Sequence, residues 1–562
     1  MNPAPPVRRM RLPVSISNNN TASPSPAPAW RSALLPALLL ALLALVLYRP
    51  WVDRPFDTLD FSEFLPLLTG PHSFGGRLAA LTHYYVGEHA RLNVLSYAGL
   101  AAKWTLLGAS PVLWQWARVA EMGVLTAGVY LLFRRLALRP WPALAGASLF
   151  VFTRLVSEAW TRMTMGEPLG LICALGALLL ATTWRTGSRP ILRAAGAGLL
   201  MACAVLAKEM LIGVLPLVWL IGTARRADGR LARPDLSGDA KRWLFWSGVP
   251  AFAAFGLALV IALGGGSGGF TNLYGQAPTG IQVFFSLASR PWIIQGVRPG
   301  FAALTMPGNA FFALVLLGGL WLVSRREEWH DHLRWSLAGA VGLSFAFAIL
   351  YLPWPYTYLY YGIPFHLGPA LLFGLAIQAI SDEGRRGPLV ACLGWGAVVA
   401  TTAPASAQNA AMVIAMQQVN GDLVSTIGQV RYADRLVMAR VSPAPQPWMG
   451  SAATLRRYAM ATGAPATFPA ATQDLGCPES VALLQQRLGR TVFVSFLGNC
   501  GGLGNASAHL SHTFGSLVVT WTSVRWKVDS IAADVLVDRE AMSPPVPAVP
   551  AVPVRAPAPH TD

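Results

Sequence analysis

Apolar runs of fifteen to twenty residues recur along the first four hundred positions, as in "ALLPALLLALLALVL" and "LFWSGVPAFAAFGLALVIAL". At 1.5 Å per residue such runs match the hydrocarbon core of a bilayer. Cut at charged and Pro/Gly-rich breaks, the pattern predicts about eleven spans. They lie near 33–48, 111–133, 141–158, 168–184, 191–207, 209–223, 243–263, 300–323, 336–352, 358–380 and 388–403. An odd number puts the two ends of the chain on opposite faces. Past residue 403 the rhythm changes to short apolar stretches, "RLVMARV", "TVFVSFLG" and "SLVVTWTSVRWKV", with helical patterns at "NAAMVIAMQQVNGDLVSTI" and "ESVALLQQRL". That alternation predicts a small α/β-type soluble domain.

The expected architecture is therefore a polytopic α-helical membrane protein with a C-terminal extracytoplasmic α/β-type domain. Its divisions are a disordered cytoplasmic tail 1–32, a membrane domain 33–403 whose first external loop is 49–110, a soluble domain 404–540, and a Pro-rich tail 541–562. The tail "NNNTASPSPAPAW" has the composition of a disordered segment. The first apolar run is an anchor rather than a cleaved leader, because "YRPWVDRPF" follows it with no small-residue cleavage site.

Composition agrees: 54% of the 562 residues are hydrophobic and 12% are charged. The formal net charge of +17 raises the question of nucleic acid, and the placement of the basic residues answers it. Arg8, Arg9 and Arg11, Arg134/Arg135/Arg139, Arg185/Arg189/Arg193, Arg225 to Arg242, Arg325/Arg326/Arg334 and Arg385/Arg386 fall between alternate spans. Such alternation is the orientation signal of an inner-membrane protein with its N-terminus in the cytoplasm, not a recognition patch. The soluble domain then faces an oxidising compartment, where Cys477 and Cys500 are its two cysteines; a disulfide between them and a pair of free thiols both fit.

Against so few charges, "RPFDTLDFSEF" stands out, with Asp57, Asp60 and Glu63 at the start of the first external loop. A loop of about sixty residues exceeds what a tether needs, and its apolar residues recur at helical spacing, which predicts amphipathic helices at the interface. Arg118 and Glu121, and Arg154 and Glu158, lie in the outer halves of the second and third spans. Each pair is spaced to close a salt bridge, or to line an outward-facing polar cavity.

The ordered series of acids in the first loop, "HARLNVLSY", "LLGASPVLWQWARVAEMGVLTAGVYLLFRRL", "MTMGEPLGLICALGALLL" and "AVLAKEMLIGVLPLVWLI" resembles the GT-C glycosyltransferases over residues 33–225. These are integral membrane enzymes of the protein O-mannosyltransferase and aminoarabinose-transferase type. The resemblance implies transfer of a sugar from a polyprenyl-phosphate donor to an acceptor on the outer face, with a first-loop aspartate as general base. Asp60 in "LDFSEFL" matches the family's acidic-aromatic pattern; Asp57 is the rival, and also suits a helix cap. Arg91 and Lys208 match positions that meet the donor phosphate, with headgroup anchoring as the alternative. Glu167 matches an acidic residue before the fourth span, where it also complements a helix dipole.

Tyr358, Tyr360 and Tyr361 in "LPWPYTYLYYGIPFHLGP" resemble the family's tyrosine segment near the carrier, and equally form an interfacial aromatic belt. His89, with His83, is a candidate acceptor contact or a structural residue of an interfacial helix. No cofactor motif is evident: the sequence has neither a Cys/His cluster at metal spacing nor G-x-x-x-x-G-K-[ST]. The run "LGGGSGGF" lies on the wrong face for a nucleotide loop. The expected partners are thus the lipid-linked donor, the bilayer and an acceptor lipid, glycan or protein, with no nucleic acid. A non-catalytic membrane scaffold and a secondary transporter are the competing classes; the chain lacks the paired halves typical of the latter.

Overall fold

A computed structural model of the chain describes residues 58–264 (165 and 187–188 excepted), 307–350, 362–403 (365 excepted), seven strands between 435 and 537, and scattered single positions elsewhere. The first external loop forms three helices: α1 (Thr58–Thr69), α2 (Phe74–His89) and α3 (Val94–Leu107). The bundle continues with α4 (Pro111–Arg135), α5 (Pro140–Val151), α6 (Arg154–Thr161), α7 (Glu167–Ala181), α8 (Pro190–Ala207), a 3₁₀ segment (Glu209–Val214), α9 (Leu215–Ala224) and α10 (Gly238–Gly264). It closes with α11 (Pro307–Ser324), α12 (Glu327–Leu350), α13 (Leu367–Ser381) and α14 (Gly387–Ala403).

Local chemistry sets several boundaries. Ser73 accepts a hydrogen bond from the Gly76 N–H at the start of α2, and Ser110 precedes Pro111 at the start of α4. Proline also opens α5, α7 and α8, where its missing N–H would have had no intrahelical partner.

The chain is a multi-pass helical membrane protein. Helices α4, α8 and α10 are long and apolar enough to cross a membrane, and α3, α5, α7, α13 and α14 are shorter apolar helices. Their packing explains α10. Its face of Ala240, Ser247, Gly248, Ala251, Ala254 and Ala258 is buried against α8 and α9, while Phe245, Val249, Phe252, Val260 and Leu263 are exposed. Small residues permit the approach: a Cβ on Gly198 of α8 would lie 2.4 Å from the Trp246 carbonyl.

Three expectations need correction. The third span is not continuous; α5 ends at Val151 and α6 begins at Arg154, with Thr153 accepting backbone N–H bonds from Val156 and Ser157. The sixth begins as a 3₁₀ segment rather than an α-helix. The loop helix α3 does not lie at the interface. Its residues Ser96, Tyr97, Leu100, Ala101 and Trp104 are buried, and it packs on α7 and α8. The span expected at 33–48 lies mostly outside the described residues, as do residues 300–306 and 351–361.

Residues 435–537 carry a five-stranded sheet of order β2-β1-β3-β7-β4, from β1 (Arg435–Arg440), β2 (Ala471–Gly476), β3 (Thr491–Phe496), β4 (His509–Phe514) and β7 (Ile531–Val537). β1 pairs in parallel with β2 and β3, and β7 runs antiparallel to β3 and β4. Parallel neighbours demand long crossover connections, and of the two helical patterns read in the sequence "ESVALLQQRL" falls between β2 and β3, while "NAAMVIAMQQVNGDLVSTI" precedes β1. β5 (Thr520–Thr522) and β6 (Arg525–Lys527) form a separate ribbon. Cys477 and Cys500 lie outside the described residues.

Candidate functional site

The site grows from a helix interruption. α8 stops at Ala207 because Lys208 turns extended, at φ −157° and ψ 113°. This leaves the Ala207 carbonyl without an intrahelical partner, and the Ser96 hydroxyl of α3 donates to it at 2.6 Å. Lys208 is 8% exposed, and its Nζ lies 3.1 Å from Oε1 of Glu167, itself 6% exposed. The pairing follows from topology: α7 and α8 are antiparallel neighbours, so the positive N-terminal end of α7 carries the carboxylate and the negative C-terminal end of α8 carries the ammonium. Lys208 is thus paired within the protein rather than exposed on its surface.

Arg91 arrives by a different device. α2 ends at Ala90, a buried residue in the left-handed region at φ 50°, and the Arg91 N–H then donates to the Tyr85 carbonyl at 3.0 Å. A non-glycine residue there is unusual and is held by its surroundings. The turn feeds Asn93, N-cap of α3, and one turn later Tyr97, whose hydroxyl lies within electrostatic range of both Arg91 and Glu209. Burial and Glu209 raise the Tyr97 phenol, keeping it protonated. The Tyr97 ring stacks on Tyr85 at 5.1 Å, and Tyr85 stacks in turn on Phe64 of α1 at 5.1 Å. Asp60 precedes Phe64 by four residues, so its position shares the face of α1 that this stack turns toward α2 and α3. Arg91, Glu167, Lys208 and Glu209 thus gather at one end of the bundle, with α1 alongside.

A second charged cluster braces that end. Arg118 on α4 is fully buried; it donates through Nη1 to Glu121 at 2.7 Å and through Nη2 to the Met163 carbonyl at 2.8 Å. Lys103 of α3 reaches the other Glu121 oxygen at 2.5 Å and lies over the Trp114 ring. Burial pulls the Lys103 ammonium down to about 8, with Arg118 adding to the shift and Glu121 opposing it. The expected Arg118–Glu121 pair therefore exists, tied to the loop helices on one side and to the segment before Glu167 on the other. Arg162 in that segment is 7% exposed, and its charge acts on Glu167.

No protein-family model matches the chain, and neither does any curated protein sequence. Among solved structures, it is similar to apo ArnT from Cupriavidus metallidurans, at 13% identity and TM-score 0.46, covering 92% of this chain and 100% of that one. It is similar to the Archaeoglobus fulgidus oligosaccharyltransferase complexed with zinc and sulfate, at 11% and 0.43, covering 82% and 68%. It is also similar to the arabinofuranosyltransferase AftD from Mycobacteria, at 13% and 0.47, covering 92% and 42%. At these identities and TM-scores the functional assignment rests on the chain's own residues.

Of the residues singled out in the sequence, Glu167 and Lys208 are in contact, and Arg91 is linked to Glu209, the neighbour of Lys208, through Tyr97. Asp60 is placed by its backbone in α1, and His89 is the last residue of α2; nothing is described of either side chain. Asp57, Tyr358, Tyr360 and Tyr361 lie outside the described residues. Sequence reasoning passed over Ser96, Tyr97, Lys103, Arg162 and Glu209. Two of these had a visible signal: Lys103 interrupts the apolar run "AGLAAKWTLL", and Glu209 stands with Lys208 between two spans.

The site also makes a sharp demand on Gly166. A Cβ there would fall 1.8 Å from the Ser96 Oγ and 3.1 Å from the Ala207 carbonyl. Gly166→Ala is therefore expected to break the Ser96–Ala207 hydrogen bond and part Glu167 from Lys208, destabilising the fold by roughly 1–3 kcal/mol. Thermal unfolding of the purified variant checks this; a melting temperature equal to that of the parent chain contradicts the packing.

Proposed function

We propose that the chain is a GT-C type membrane glycosyltransferase that moves a sugar from a polyprenyl-phosphate carrier to an acceptor hydroxyl on the extracytoplasmic face. The observation that carries this reading is the buried Lys208–Glu167 pair, gathered with Arg91 at the end of the bundle where the acid-bearing helix α1 lies. Buried ionised pairs in a membrane bundle are expensive, and a structural role alone is met more cheaply by apolar packing.

In the proposed reaction the acceptor oxygen bonds to the anomeric carbon while Asp60 takes the acceptor proton. The bond from that carbon to the phosphate oxygen breaks, and its electron pair leaves with the polyprenyl phosphate. The departing charge needs fixed cations, and Arg91 and Lys208 supply them, Lys208 being held in one orientation by Glu167. The Tyr97 hydroxyl, which donates to the Arg91 backbone carbonyl at 3.5 Å, is a further candidate contact, as an acceptor, for a sugar hydroxyl. Asp60 is preferred to Asp57 because "LDFSEFL" matches the acidic-aromatic pattern of the resembled family at Asp60.

The test is direct. Purified chain, a polyprenyl-phosphate sugar and a membrane acceptor fraction are expected to yield free polyprenyl phosphate together with glycosylated acceptor. Movement of the labelled lipid across sealed vesicles without release of the phosphate identifies a transporter, and neither outcome identifies a scaffold.

A further inference from the structure

At the opposite end of α7, one helix length of about 22 Å from Glu167, two adjoining cavities share Trp184, Arg185 and Asp235. One, of about 360 Å³, lies among the ends of α7 and α9 and the following loop, and is lined by Arg185, Arg225, Arg226 and Arg233. The other, of about 370 Å³, extends along the first turns of α8 and α10 to Ile191 and Trp246, which are 50% and 42% exposed. Both volumes fall in the range of small-ligand pockets. Together they form a groove whose one end is basic; the other, where Asp239 is paired with Arg242 at 3.3 Å, opens past the exposed apolar side chains of Ile191 and Trp246.

The cations of the basic end are incompletely neutralised. Asp235, the carboxylate of its lining, already binds Arg185 at 3.0 Å and accepts from the Ser237 N–H and hydroxyl. Arg226 pairs with Asp331 at 3.2 Å. Arg225 and Arg233 have no carboxylate partner among the described residues. Arg225 is held by donating Nε to the Arg135 carbonyl at 3.0 Å, which places its charge beside that of Arg135 and leaves its two terminal nitrogens to other acceptors. Arg185 lies against the face of Trp184, which stacks on Trp243, so the wall between the two ends is rigid.

We propose that this groove binds an anionic phospholipid, its phosphate against Arg225 and Arg233 and its acyl chains along Ile191 and Trp246. A soluble phosphate would satisfy the same arginines, but it has no use for the half that opens past Ile191 and Trp246. Basic pockets between helices on the cytoplasmic side are suited to such headgroups, and interfacial tryptophans to their upper acyl region. The occupant is distinct from the donor lipid, because the groove and the Lys208–Glu167 site lie at opposite ends of the same helices.

The experiment uses the full chain in neutral detergent, titrated with phosphatidylglycerol or with phosphatidylcholine of matched chains, and native mass spectrometry reads the lipid retained. Phosphatidylglycerol is expected to be retained preferentially. Arg225→Gln/Arg233→Gln should weaken that retention by roughly tenfold or more. Arg385→Gln/Arg386→Gln, an equal loss of charge on the exposed turn before α14, should leave it unchanged. Arg233→Gln alone, at an exposed position, should weaken it several-fold and serves if the double variant does not fold. Equal loss in both double variants, or equal retention of the two lipids, overturns the proposal. Displacement of phosphatidylglycerol by equimolar inorganic phosphate also overturns it, assigning the arginines to a soluble anion.

Discussion

Asp60→Asn is expected to reduce transfer from the polyprenyl-phosphate donor by roughly 10²- to 10⁴-fold, the range lost with a general base. The amide keeps the size of the carboxylate and most of its packing, and it cannot accept the acceptor's proton. The loss should fall on kcat, with little change in the KM for the donor, because the charge at Asp60 acts on the acceptor as the bond forms rather than on the bound phosphate. Asp57→Asn should be milder. Asp60 lies one turn from Phe64 along α1, and Phe64 is held against α2 and α3 by the Phe64–Tyr85–Tyr97 stack. Phosphate release is measured on protein that elutes as the parent chain does. Near-parental release from the Asp57/Asp60 double variant would remove the first loop from the chemistry and return the chain to the scaffold or transporter class.

How far this site was legible depends on whether the relevant contact is local. Arg118 and Glu121 are three residues apart on one helix, so their salt bridge follows from spacing. Glu167 and Lys208 were each legible as a charge at a span end, and the alternation of arginines sets α7 and α8 running in opposite directions. Their pairing follows only when the two helices are neighbours, which no period in the sequence reports. The same holds for Ser96: its spacing in "NVLSYAGL" marks an ordinary helical position, yet its partner is a carbonyl 111 residues away, exposed by the turn at Lys208. Ala90 is harder still. Nothing distinguishes an alanine that will adopt φ 50° from any other, because tertiary packing of the buried residue imposes the conformation.

The long external loop shows the same limit in another form. Helical periodicity identified its helices correctly in kind, since α2 and α3 cover "RLAALTHYYVGEH" and much of "RLNVLSYAGLAAKWTLLG". An apolar stripe looks identical whether it faces lipid headgroups or other helices, and so the pattern alone places α3 at the interface. Lys103 was the discriminating residue. An ammonium that must lie beside Trp114 and pair with Glu121 of α4 is incompatible with a helix floating on the membrane surface. The break between α5 and α6 was invisible for a related reason: "LFVFTRLVSEAW" carries no proline or glycine, and Thr153 interrupts the helix while its own backbone carbonyl starts the next one.

The Lys208–Glu167 pair supports a separate prediction that divides structure from chemistry. Removing one partner of a buried ion pair leaves the other charged and unmatched, so Lys208→Met should destabilise the chain by about 3–5 kcal/mol and also abolish transfer. That result alone is ambiguous, because a poorly folded enzyme does not turn over. Replacing both members, Lys208→Met with Glu167→Leu, takes away the stranded carboxylate as well. Buried pairs exchanged for apolar side chains of similar volume are often neutral or stabilising, so the double variant is expected to recover the parent's thermal midpoint. Transfer should nevertheless stay low, by roughly 10²-fold or more, because the ammonium that meets the departing phosphate is still missing. Lys208→Arg with Glu167 intact keeps the charge and should retain part of the activity, at an altered donor KM. A double variant that recovers both stability and turnover would reduce the pair to a clamp between α7 and α8, and would leave Arg91 as the remaining candidate for the donor phosphate.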